Sequence, residues 1–362
     1  MREHYLDGLR GWAALFVVGS HLGPMFLTQG LLQNIFPFFT DGQMAVYVFF
    51  VLSGYVLSIG FFRTGQRKAV VTLALRRYPR LTIPILTTTL LALLSMKLGL
   101  FANIPAGQAA SSAWLESFYQ FQGSLPGALQ FGLWNVYANY DGPTSYNSAL
   151  WTMWIEMLGS MVIFGLLLLA GRNRMMQLVA IAAFAFWATR YNEHLVAFAL
   201  GMLLALCSAQ GWIPRNNTAG FCLLAATLPV TMLRYMGDGF TALSCYAAAI
   251  VLAVLLSPTL QAMLSTRLSQ WLGQVSFPLY LTHMLIICSL SSTMYLYFEN
   301  GNSVTPQEGA LIAVVSIAAC LCAARLFLPV ELTAINVARA FSGLVLQLVR
   351  TAAARWLRPN NI

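Results

Sequence analysis

Residues 6–22 read LDGLRGWAALFVVGSHL. The stretch begins polar, turns apolar, and then sets His21 where a membrane-crossing helix should be most apolar, with Arg10 eleven residues before it. An ionisable side chain inside a span is costly and marks function by default. If the stretch is helical, eleven steps make three turns plus about 20°, so Arg10 and His21 share one face roughly 16 Å apart along the axis. Asp7 lies one turn before Arg10 and can orient it. This geometry puts Arg10 at the mouth of the span and His21 near its middle. Two readings of His21 stay open on these residues alone: a buried imidazole bonded to a neighbouring helix, or a group that does chemistry.

The rest of the chain supports a membrane setting. Of 362 residues, 59% are hydrophobic and 9% charged, where soluble domains carry about 25% charged residues. Mean hydropathy is +0.70. The apolar runs are roughly 17–23 residues long, enough to cross a ~30 Å hydrocarbon layer as helices, and they do not alternate as barrel strands do. The expected fold class is therefore all-α: a polytopic helical membrane protein of about ten spans, at 11–29, 43–62, 81–101, 150–170, 175–190, 194–210, 218–234, 240–257, 277–298 and 309–329. The first run shows no convincing small-residue cleavage site and is expected to stay as a span. The formal charge of +9 sits in loops, no nucleic-acid-binding module is present, and no nucleic-acid partner is expected. The six cysteines all fall in apolar runs without a CxxC pair and are expected to be packing residues.

Lysine and arginine stay on the cytoplasmic side of a membrane protein. Arg63, Arg67, Lys68, Arg76, Arg77 and Arg80 follow the second run, whereas 102–149 holds no basic residue. Arg172 and Arg174, Arg215, and Arg267 then fall in every second loop, and Arg325, Arg339, Arg350, Arg355 and Arg358 lie at the end. With Arg2 and Arg10, 17 of the 20 basic residues map to one side; Lys97, Arg190 and Arg234 map to the other. This places both termini in the cytoplasm. The acids Asp41, Glu116, Asp141, Glu193, Asp238, Glu299 and Glu308 map outside, leaving Glu156 as the acid within a span.

The outer segment 102–149 is rich in aromatics, among them Trp114, Phe118, Tyr137, Tyr140 and Tyr146, and is broken at Gly123, Pro126 and Pro143. It reads as short interfacial helices or a re-entrant cap, serving as an aromatic belt or as a platform on which sugar rings stack. The chain divides into a membrane domain, 1–330, and a basic amphipathic cytoplasmic tail, 331–362.

Further polar groups recur near the membrane. RRYPR, 76–80, sets Arg77 and Arg80 one turn apart at the cytoplasmic mouth of the third span. It serves either as a topology signal or as a phosphate site, since guanidinium forks pair with phosphate oxygens. Glu156, in ALWTMWIEMLGSM, holds a cation or backbone group, or else orients a histidine or binds acceptor hydroxyls. His283, in VSFPLYLTHMLII, is a structural hydrogen-bonding group or part of a site. His4 and His194 are expected to face solvent near span ends. The two in-span histidines and Glu156 show no metal-ligand spacing, so no metal is expected.

Coenzyme A fits an inner phosphate-binding rim, a mid-membrane histidine and an uncharged aromatic cap. Its phosphates would stay with the arginines while its arm carries a thioester to His21. There His21, as general base, would take the proton of an acceptor hydroxyl arriving from outside. A competing reading is a proton-coupled transporter or flippase of a glycan or small metabolite, with His21 and Glu156 as its relay.

Five stretches, in order, resemble the membrane-bound acyltransferase-3 family of bacterial polytopic O-acyltransferases. They are LDGLRGWAALFVVGSH with Arg10 and His21, VYVFFVLSGYVLS (46–58), RRYPRLTIP (76–84), SALWTMWIEMLGSM (148–161) and VSFPLYLTH (275–283). The fourth departs from the family's commoner run around its glutamate. The resemblance implies an acyl-CoA donor, usually acetyl-CoA, and transfer to a hydroxyl of an envelope, exported or lipid-linked carbohydrate, or of a small metabolite. It implies the inner membrane of a bacterium as the location. On this reading His21, with Arg10 and Glu156, forms the catalytic set, and Arg76, Arg77, Arg80 and His283 bind the donor.

Overall fold

The computed structural model describes residues 3–26, 41–233, 240–300 and 303–356, and no strand occurs among the described residues. In chain order the helices are α1 (His4–Phe26), α2 (Gly42–Thr64), α3 (Arg67–Lys97), the short helices α4 (Asn103–Ala109), α5 (Ala113–Glu116) and α6 (Leu125–Gln130), then α7 (Ser148–Ala170), α8 (Arg174–Tyr191), α9 (His194–Ala209), α10 (Asn217–Leu233), α11 (Phe240–Leu256), α12 (Pro258–Leu264), α13 (Arg267–Glu299) and α14 (Pro306–Trp356). Each of the ten apolar runs falls on one of the longer helices. By length and composition α2, α3, α7, α13 and α14 can each cross a membrane, and α11 with α12, bent by 99° between them, adds a sixth candidate. The protein is an all-helical, multi-pass membrane protein. Residues 27–29 of the first run, Arg2, Arg234, Asp238 and Arg358, and the side chain of Arg355, lie outside the described residues.

The helix ends follow local chemistry. Gly65 closes α2 in the left-handed region at φ 66°, its N–H donating to Phe61 O. Thr266 caps α13 by accepting from Ser269 N–H, and Asn173 caps α8 by accepting from Met176 N–H.

Two helices run longer than the hydropathy pattern. α3 begins at Arg67 rather than near 81, so RRYPR lies inside a helix that also contains Pro79 and Pro84. α14 continues through Pro329 as one 51-residue helix, without a break at 330. Beyond Pro329 its small residues Ala334, Ala338 and Ser342 are buried, and Ser342 Oγ accepts from Arg76 Nε at 2.8 Å. The polar spacing that reads as a separate surface helix is, on one face, a packing stripe against α3.

Close helix crossings depend on glycine. A Cβ on Gly54 of α2 would lie 2.2 Å from Phe198 O, and one on Gly201 of α9 would lie 2.1 Å from Val51 O. With backbones this close, α2 and α9 bury Tyr47, Phe50, Tyr55 and Phe198 between them. α1 and α13 meet the same way: a Cβ on Gly11 would be 2.4 Å from Gly273 N, and one on Gly273 2.4 Å from Asp7 O. His21 and His283 each lie ten residues beyond this crossing, about 15 Å further along their helices. Equal rise from a shared contact brings the two imidazoles to one level.

The segment between α3 and α7 forms a cap over one end of the bundle. Asn103 is buried and its Nδ2 donates to Leu115 O and Phe118 O, folding α4 back on α5. Ala102 N–H donates to Cys288 O, and Asn147 Nδ2 to Leu281 O, tying both ends of the cap to α13. Residues 131–137 run down alongside α3, where Tyr78 Oη donates to Leu133 O and Thr82 bonds Tyr137 Oη. The cap is thus built of short helices, one part of which re-enters the bundle.

Candidate active site

A cavity of about 730 Å³ lies between the cap and the helix ends, bordered by Ser20 and His21 of α1, Gly42, Gln43 and Val46 of α2, Trp114 and Glu116 of α5, Phe118, Gln120 and Tyr140 of the cap, Trp151 of α7, and Tyr280 and His283 of α13. At its centre the rings stack in series. His21 lies 4.9 Å from Trp114 with 14° between planes, and 5.4 Å from His283 with 8° between planes. Among the described residues no hydrogen bond orients the His21 ring; the two stacks hold it. His283 is fully buried, its Nδ1 is 2.9 Å from Tyr280 O, and its Nε2 has no hydrogen-bond partner among the described residues. Tyr280 is itself fixed, its Oη donating to Ala149 O and bonding Thr152.

His21 stands nearer the cap than mid-helix. Its ring stacks on Trp114 of the cap, and its neighbour Ser20 packs on Gly42, the first residue of α2. His194 is not a solvent-facing residue: it bonds Tyr47 Oη and packs against Trp151 and Phe50 beneath the cavity.

Glu156 and Arg77 form a buried ion pair, their side chains only 12% and 11% exposed. Ser53 Oγ donates to the same carboxylate oxygen at 2.6 Å, while Arg77 Nε is buried and has no hydrogen-bond partner among the described residues. Glu156 is five residues below the cavity-lining Trp151 on α7, and Ser53 seven below Val46 on α2, so the pair lies about 8–10 Å beneath the cavity. Arg77 is the eleventh residue of α3, roughly 15 Å from the helix start at Arg67. Arg10, on the adjoining α1, lies 4.0 Å from Asp7.

The structure therefore brings His21 and His283 together, and Arg77 with Glu156, as two separate groups. It does not gather Arg76, Arg77 and Arg80 into one cluster. Arg76 faces α14 and Arg77 faces α7, while Arg80 is exposed. Nor does Glu156 touch His21, as a proton relay would require. Of the residues that frame the two histidines, Trp114 was visible in sequence as a member of the aromatic-rich outer segment and Tyr280 as a neighbour of His283 in VSFPLYLTH. All six cysteines are free.

A histidine pair thus lines a cavity beneath the cap, with the Arg77–Glu156 ion pair buried below it. The model of the acyltransferase domain family, acyltransferase-3, matches residues 3–325, and the chain belongs to that family. Among curated relatives, an O-acetyltransferase, PaAT-1 of Phomopsis amygdali, is 24% identical over 399 residues, covering 86% of this chain and 77% of the relative. No solved structure matches the chain. The protein is an acyltransferase.

Proposed function

We propose that the protein moves an acyl group, acetyl above all, from cytoplasmic acyl-CoA to a hydroxyl of a carbohydrate outside the membrane or linked to lipid. The observation that carries this reading is the stack of His21 between Trp114 and His283 at the floor of a cavity roofed by aromatic and amide side chains. Aromatic faces with Gln43, Glu116 and Gln120 suit a sugar, which offers apolar ring faces and many hydroxyls. The relative named an O-acetyltransferase supports acetyl as the group.

In this reading ten helices span the inner membrane of a bacterium, both termini are cytoplasmic, and the cap faces outward. Residues 331–362 then form a cytoplasmic extension. The column Arg10, Arg77–Glu156, His21–His283 leads from the inner side to the cavity. Arg10 and Arg77 serve the donor along this column, with Arg76 and Arg80 on other faces of α3. At the centre the acceptor oxygen bonds to the acyl carbon, the carbon–sulfur bond breaks, and the hydroxyl proton passes through a histidine to the thiolate. The chemistry needs the catalytic histidine, His21, and asks for no metal.

The test is mass spectrometry of surface and lipid-linked glycans from cells lacking the gene, with and without the gene restored. Loss and return of one acyl mass is expected, together with thiol release from acetyl-CoA in membranes. Directional glycan movement without thiol release would refute the proposal.

A further inference from the structure

His283 was grouped by sequence with the donor-binding residues, but its surroundings are those of a base. Its ring is fully buried and borders the cavity. Nδ1 is 2.9 Å from Tyr280 O and 3.3 Å from Leu279 O. A carbonyl cannot donate, so Nδ1 carries the proton and Nε2, at the far edge of the ring, is left as a lone pair. That nitrogen is buried and has no hydrogen-bond partner among the described residues. An acceptor of this kind is costly to leave unsatisfied, and native structures keep such groups where a substrate will bond them.

We propose that His283 is a second catalytic residue: Nε2 accepts the proton of the acceptor hydroxyl. The inference rests on the acyl-transfer reading above. As the acceptor oxygen bonds to the acyl carbon, its proton moves to Nε2. The resulting cation is steadied by the Nδ1–H bond to Tyr280 O, which becomes charge-assisted. When the carbon–sulfur bond breaks, the proton returns from Nε2 to the thiolate, and the ring is neutral again. His21, stacked 5.4 Å away and held among the described residues by ring contacts, is left to donate its ring N–H to the oxygen of the tetrahedral intermediate. The division follows from orientation: one ring has a fixed tautomer and the other does not.

The experiment uses membranes of cells lacking the gene and re-supplied with the full-length protein, so that the native acceptor is present, and follows thiol release from acetyl-CoA. His283→Asn retains an N–H for Tyr280 O but has no group at the Nε2 position. His283→Gln places an amide near that position which cannot take a proton. Both should lower kcat about 10²-fold or more, with the KM for acetyl-CoA changed less than about twofold. Gln retaining more than a tenth of wild-type kcat would overturn the proposal, as would a raised KM with unchanged kcat, which is the donor-binding outcome. Nitrogen NMR of the histidine-labelled wild-type protein reads the tautomer without any substitution. A protonated Nε2 on His283 would overturn the proposal even if the variants fail to fold. Wild-type protein that releases no thiol and transfers no acyl group refutes instead the acyl-transfer reading.

Discussion

Glu156→Met leaves Arg77 charged, buried and without its carboxylate. Side-chain exposures of 11% and 12% put the pair in the buried class, where the dielectric is low and water cannot replace the lost partner. Removing one member of such a pair costs about 3–5 kcal/mol, because the remaining charge is uncompensated. Ser53 loses its acceptor as well, worth about 1 kcal/mol. Each single variant, Arg77→Met or Glu156→Met, should therefore shift the folding equilibrium by roughly 10²- to 10⁴-fold. The double variant removes both charges together. Apolar replacement of a whole buried pair is often neutral, so the double variant should be less destabilised than either single, within about 2 kcal/mol of wild type. Equilibrium unfolding of the purified protein in mild detergent measures all four states of the cycle. Arg63 and Glu3 provide the control: 2.6 Å apart but with Arg63 39% exposed, they should couple by no more than about 1 kcal/mol. A double variant as destabilised as the two singles summed would refute the burial argument.

His21→Ala should lower acyl transfer in membranes about 10²- to 10⁴-fold while the protein inserts and elutes as wild type; wild-type glycan acylation would remove His21 from the reaction. Trp114→Ala takes away one face of the His21 stack and part of the cavity wall. An aromatic pair of this sort is worth about 0.5–1.5 kcal/mol, so kcat/KM for the acceptor should fall about 2- to 12-fold with the KM for acetyl-CoA unchanged; equal effects on both substrates would count against an acceptor role. Gly54→Ala forces a Cβ to 2.2 Å from Phe198 O and should cost about 1–3 kcal/mol or more as α2 and α9 separate. Gly165→Ala meets nothing within 4 Å and should be neutral or slightly stabilising, by at most about 1 kcal/mol, in the same unfolding assay.

The sequence by itself determined the class of the protein. Ten apolar runs announced helices because a backbone in lipid must satisfy its own hydrogen bonds, and LDGLRGWAALFVVGSH, with four later stretches in order, announced the acyltransferase family. It also marked His21, His283, Glu156 and Arg77 as unusual, since ionisable groups in apolar runs stand out. Helix extent was less legible: hydropathy reports the lipid-facing part of a helix, so the polar first turns of α3 and the stretch of α14 beyond Pro329 read as a loop and a separate element. What only the tertiary structure decided was pairing. A carboxylate on α7 meets an arginine on α3, and an imidazole on α1 stacks on one from α13, where Gly11 and Gly273 let the two backbones close to contact and set both rings at one level. The locked tautomer of His283 belongs to the same category. It depends on which way one ring turns within a packed interior, and periodicity along a chain carries no record of that.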